Sequence, residues 1–285
     1  MDYLISTSHF EDRIWFRNDE DFKTGMNYTA LASLNTRIAI LCFVLMSNHV
    51  HFVVSGTEKV CKDFLDKFKQ LYASYLRHKY GMTKFLKHNA CDIRPLQGEE
   101  AHERAIAYVM MNPVSANICL EATGYPWGSG LCYFNLSLPE GTGLIGMSRR
   151  KRIQLLHSEL PVNDNWKISS KGYILPQSFI EINSVERVFR TPGRMHYFLT
   201  TSSKARLRTE SEPAMLPSFR DQTIVAAIPD ICISLFGKHS PEELSQAQYG
   251  RFISELHRRF SSDIQQLARI IGLPQETLAD ILDKG

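Results

Sequence analysis

The chain has 285 residues, 44% of them hydrophobic, and a formal net charge of +3 from 33 Lys and Arg against 30 Asp and Glu. That composition argues against wholesale disorder and suits one large domain or a domain with a smaller companion. The slight positive charge permits nucleic acid without arguing for it, and six cysteines with no C-x-x-C pair exclude a zinc ribbon or a thioredoxin-type site.

The cysteines read as reduced core residues of a cytosolic protein. The first residues lack a basic stretch followed by an apolar one, so no secretory leader is expected. The longest apolar run, Ile38–Met46, is too short to cross a bilayer. A first strand falls within Asp2–Phe16. Asp19–Leu34 reads as a helix with acidic residues in its first turn and Phe22, Met26 and Leu31 toward the core. Ile38–Met46 and His49–Val54 are β-branched and aromatic and flank Ser47-Asn48, which predicts a hairpin closed by a two-residue turn.

Val60–Tyr80 carries apolar residues at helical spacing and stops at Gly81. Lys62, Lys67, Lys69, Arg77 and Lys79 flank that stripe as a solvated face or as a face for phosphates. A strand near Arg94–Gln97 and a helix Glu99–Asn112, closed by Pro113, follow. The turn-rich Gly124–Gly128 then ends the first domain. This order predicts an α+β, ferredoxin-like sandwich with a central antiparallel sheet, joined to a C-terminal helical region. Three parts are expected. Residues 1–135 form the principal domain, and 136–217 an accessory region with a polar linker at its end. Residues 218–285 form a helical region with a helix-turn-helix pattern around Gly272-Leu273-Pro274.

Chemistry concentrates in two places. His49 and His51 are two apart on a strand, so both imidazoles leave the same face of the sheet. Tyr108 and Asn112 are four apart on a helix and share its face. Asn112, at the last helical position, could offer its amide oxygen. Two imidazoles and one amide oxygen make a mixed N/O donor set suited to Mg²⁺ or Mn²⁺, with positions left for water or a phosphate oxygen. Tyr108 would then stand near enough to attack a phosphorus whose charge the ion neutralises. Tyr72 and Tyr75 are rival phenols, but they sit in the apolar stripe and read as packing residues; His88 and His102 read as surface histidines.

Three segments together resemble a known family. Met46-Ser47-Asn48-His49-Val50-His51-Phe52-Val53-Val54 resembles the histidine motif of the HUH single-strand endonucleases, in the form carried by REP-associated tyrosine transposases and insertion-sequence relatives. Ala107-Tyr108-Val109-Met110-Met111-Asn112-Pro113-Val114 is similar to their nucleophile helix, and Gly124-Tyr125-Pro126-Trp127-Gly128-Ser129 to the segment that follows it. The resemblance covers roughly residues 1–135 with order and spacing kept. It implies an HUH endonuclease core in which His49, His51 and Asn112 bind a divalent metal. It also implies that Tyr108 cleaves single-stranded, hairpin-forming DNA through a 5′-phosphotyrosine link, as a transposase does. Lys62, Lys69, Arg77, Arg149 and Arg150 are candidate DNA contacts. A bacterial cytosolic location follows, and both a monomer and a homodimer stay open. Two other functions also stay open. One is a domesticated, non-catalytic DNA-binding regulator with the same fold. The other is an unrelated metal hydrolase, which would need a carboxylate near the histidines; Glu58 is the closest acid downstream.

Overall fold

The two-residue turn at Ser47 and Asn48 allows the apolar segments on either side to fold back on each other, and the sheet grows from that hairpin. The computed structural model describes residues 1–7, 14–82, 91–116, 118–201, 219–260 and 262–284. In chain order they begin with β1 (Asp2–Thr7), α1 (Asp19–Thr36), β2 (Ala39–Met46), β3 (His49–Ser55), α2 (Glu58–Tyr80), β4 (Cys91–Pro95) and α3 (Glu99–Ser115). The four strands form one antiparallel sheet in the order β2-β3-β1-β4. This is the β-α-β-β-α-β arrangement expected of a ferredoxin-like sandwich.

Alternation along β3 assigns the two faces. Phe52 packs edge-on against Phe64 and Phe68, so α2, with α1 beside it, covers one face. His51 meets Tyr108, and the Cys42 thiol reaches the Ile106 carbonyl, so α3 crosses β2 and β3 on the other. Phe22, Met26 and Leu31 are buried as expected.

Helix ends follow local chemistry, with three departures from the sequence reading. The Thr57 hydroxyl accepts from the Val60 amide and caps α2, and Gly81 closes it in the left-handed region at φ +68°. The first departure is that α3 runs through Pro113 to Ser115, so Asn112 is inside the helix rather than at its end. The residue before a proline is biased away from helix, not barred from it. Here Val109, Met110 and Pro113 are all buried, and this packing outweighs the bias. The second is that β4 lies earlier than expected and ends at Pro95. The third is Cys91, a core candidate, which is exposed on β4; all six cysteines are free thiols.

The segment 124–129 does not leave the fold. It lies along the outer edge of β2. Leu45 donates its amide to the Trp127 carbonyl, Ser129 donates its amide to the Phe43 carbonyl, and the Tyr125 hydroxyl donates to the Leu45 carbonyl. An edge strand whose polar groups would otherwise face water is thereby covered. A Cβ on Gly128 would come within 2.8 Å of the Phe43 carbonyl oxygen, which is why a glycine stands there.

Residues 136–201 contribute β5 (Thr142–Gly143), α4 (Arg149–Leu156), β6 (Lys167–Ile168), α5 (Ile182–Phe189) and α6 (Pro192–Thr201). Their Leu144, Leu156, Trp166, Ile174, Val185 and Phe189 join the same apolar core as the sheet. A second core is built by α7 (Asp221–Phe236), α8 (Gln246–Phe260), α9 (Ile264–Ile271) and α10 (Gln275–Lys284), with Ile14 inserted among them. The turn between α9 and α10 passes through Gly272 at φ +76°, as the helix-turn-helix pattern anticipates. Among the described residues, no helix is long and apolar enough to cross a membrane. His88 and all of the expected linker but Thr201 lie outside the described residues.

Candidate functional site

The histidine pair sits where the hairpin turn, β1 and α3 meet. His51 lies opposite Val44 on β2 and Ser6 on β1, and His49 opposite Met46. Both rings are buried, His51 fully and His49 to 8% exposed. Their centroids are 5.0 Å apart at an interplanar angle of 77°. Each Nδ1 is held: that of His49 lies 2.8 Å from the Asn48 amide oxygen, and that of His51 lies 2.9 Å from the Ser6 hydroxyl. An Nδ1–H donated to an amide oxygen places the ring's lone pair on Nε2, the arrangement by which outer partners orient a metal-binding imidazole.

Tyr108 comes from α3 and packs its ring edge-on against His51, with centroids 5.1 Å apart. It is half-buried, so its ring borders the core rather than lying within it. His49 and His51 from β3 and Tyr108 from α3 are therefore in one cluster. Asn112 is buried one helical turn further along. Its amide nitrogen donates to the Tyr108 carbonyl at 2.9 Å, which fixes the side chain and leaves Oδ1 as its donor atom toward a cation. The described hydrogen bonds tie Asn112 to Tyr108 rather than to a histidine.

The donor chemistry fits a hard divalent ion with oxygen and nitrogen ligands. Among the described residues, no three His, Cys, Asp or Glu side chains gather into a metal-holding group. A site here would therefore draw its third donor from an amide, water or a ligand oxygen.

The rival phenols are placed as packing residues. Tyr72 is fully buried and donates to the Trp15 carbonyl; Tyr75 donates to the buried Asp21 carboxylate. Burial pushes both phenols upward, and the nearby Asp21 charge adds to the effect, so neither is poised to ionise.

The basic candidates lie elsewhere. Lys62 and Arg77 are exposed on α2, across the sheet from the histidines, while Lys69 on the same helix is buried. Arg149 and Arg150 are exposed in the first turn of α4, which packs on α1 on that same far side, and Arg149 faces Glu159 at 3.5 Å. The structure does not bring these five residues to the histidine pair. His102 is not a free surface residue either: its Nδ1 lies 2.7 Å from the Gly98 carbonyl and its Nε2 3.1 Å from Asp2.

Sequence reasoning missed Ser6 and the orienting role of Asn48. Asn48 carries a local signal, being next to the His-x-His run. Ser6 carries none, because only the β1–β3 register sets it opposite His51.

No protein-family model and no curated protein matches the chain. Among solved structures it is similar to a REP-associated tyrosine transposase bound to a REP hairpin. That likeness spans 45% of this chain and 75% of the other, with a TM-score of 0.34 and 9% sequence identity.

Proposed function

We propose that the chain is a metal-dependent single-strand DNA endonuclease and strand transferase with an HUH-type core, acting on hairpin-forming DNA through Tyr108. The observation that carries this reading is the cluster itself: a half-buried phenol 5.1 Å from one of two imidazoles that share a sheet face.

His49 and His51, through Nε2, and Asn112, through Oδ1, would hold Mg²⁺ or Mn²⁺. When bound, such an ion supplies charge neutralisation and polarisation of a phosphodiester. Asn48 and Ser6 orient the two rings. Asn112 also ties its side chain to the backbone of the nucleophile. The Tyr108 oxygen forms a new bond to phosphorus and the bond to the 3′ oxygen breaks. The phenolic proton is released and a proton ends on the 3′ oxygen as a hydroxyl. The product is a 5′-phosphotyrosine, which keeps the ester energy for transfer to another 3′ end.

The test is incubation with labelled single-stranded hairpin DNA and Mn²⁺ or Mg²⁺, followed by denaturing electrophoresis. A protein–DNA adduct is expected from the parent and absent in Tyr108→Phe, which should still bind DNA. His49→Ala should lose the adduct that Mn²⁺ or Mg²⁺ supports. An adduct that persists in Tyr108→Phe would move the nucleophile; no adduct from the parent on any hairpin substrate would favour a non-catalytic DNA-binding role.

A further inference from the structure

The hairpin turn that carries His49 is gripped from two sides. Ser47 is 2% exposed, and its carbonyl accepts the amides of Trp15 at 2.7 Å and Phe16 at 2.9 Å. Its hydroxyl bonds the Asp263 carboxylate. Asp263 is the N-cap of α9, where its other oxygen accepts the Gln265 amide at 2.8 Å. One carboxylate therefore joins the first turn of a C-terminal helix to the turn of the hairpin. The next residue, Asn48, orients the His49 ring.

A second contact fixes the same junction. Ile14 is buried in the core of the C-terminal helices. Three residues later the Arg17 side chain, 6% exposed, pairs with Asp280 at 2.8 Å and with Asp283 on α10, and Asn18 bonds Glu276. The acidic face of α10 is thus committed to residues 17 and 18. Without the C-terminal helices against it, Ser47 would be left to water, and a two-residue turn frays easily when its polar groups are solvated.

We propose that Ser47 and Asp263 are positioning residues through which the C-terminal helical bundle holds the orientation of the His49 imidazole. The inference rests on reading His49 as a functional imidazole, but its first readout needs no metal.

Three variants of the full chain separate the link from the fold. Ser47→Ala breaks the link and leaves Asp263 its cap on α9. Asp263→Asn keeps an oxygen for the Gln265 amide and puts an amide N–H against the Ser47 hydroxyl, which then accepts. Asp263→Ala removes both. In metal-free protein, imidazole NMR signals of His49 should shift or broaden in Ser47→Ala and Asp263→Ala. They should return to parent positions in Asp263→Asn, while those of His51, held by Ser6, stay in place. Mn²⁺ affinity should fall about tenfold in Ser47→Ala, the low end for outer-sphere partners of a metal ligand, and less than twofold in Asp263→Asn. His49 signals in Ser47→Ala that superimpose on the parent would overturn the proposal. So would loss of helix content in that variant, because the hydroxyl would then be holding the bundle rather than the turn. If the parent binds no Mn²⁺ while Ser47→Ala still disturbs the His49 ring, the metal reading fails and the positioning link stands.

Discussion

Ser129→Ala should destabilise the N-terminal fold by about 2 kcal/mol, although Ser129 touches none of the reacting groups. Ser129 is fully buried on the outer edge of β2. Its hydroxyl oxygen accepts the Phe43 amide at 3.0 Å and lies 2.9 Å from the Tyr133 hydroxyl, whose one proton goes to the Leu41 carbonyl. Truncation removes both. The Tyr133 hydroxyl keeps its bond to the Leu41 carbonyl, so its loss is small. The Phe43 amide is left in a dry edge with no acceptor, and a buried donor stranded in this way costs about 1–3 kcal/mol. Denaturant unfolding should show the drop, and hydrogen exchange at the Phe43 amide should speed up against its neighbours on β3. Single-strand DNA binding per folded molecule should not change, because the segment serves as an edge cover. Stability within about 0.5 kcal/mol of the parent, with unchanged exchange at Phe43, would refute the reasoning, since that is the scatter of a neutral substitution.

Phe52→Ala should cost about 3–5 kcal/mol, because its ring is fully buried against Phe64 and Phe68; a urea melt will report it, whereas its neighbour His51 faces the site. Burial raises the Asp263 carboxyl despite the Ser47 hydroxyl and the charges of His257 and Arg269. Its folded state therefore holds the proton more tightly than its unfolded state. That contribution is fully present below the unfolded carboxyl value of about 4 and is lost as pH rises through the folded value. Asp263→Asn lacks this loss, so its stability relative to the parent should improve from pH 4 toward neutrality; a gap that is flat with pH would contradict the assignment. Lys62→Ala with Arg77→Ala should leave the salt dependence of single-strand DNA binding unchanged, since both lie across the sheet from the histidines, and a slope reduced by about one per removed charge would place DNA on α2.

Local signals carried most of the architecture into the sequence. The hairpin and the shared face of His49 and His51 follow from a period of two around a short turn, and α2 follows from its apolar stripe and its glycine stop. Tyr108 was marked by its spacing from Asn112, although only packing shows which histidine it meets. What was hidden depends on distant pairing. Ser6 is opposite His51 because of strand register, and Ser47 meets Asp263 across 216 positions of chain. Lys69 reads as solvated from its type but is buried by its surroundings. Pro113 reads as a stop, and the burial of its neighbours carries the helix past it. The acidic face of α10 argues against a DNA reader, and its partners at residues 17 and 18 supply the physical reason for those charges.

The most direct measurement is to digest the denaturation-resistant adduct formed with hairpin DNA and Mn²⁺ and locate the nucleotide by mass spectrometry. The phosphonucleotide is expected on the peptide containing Tyr108. Finding it on Tyr72, Tyr75 or any other side chain would contradict the account.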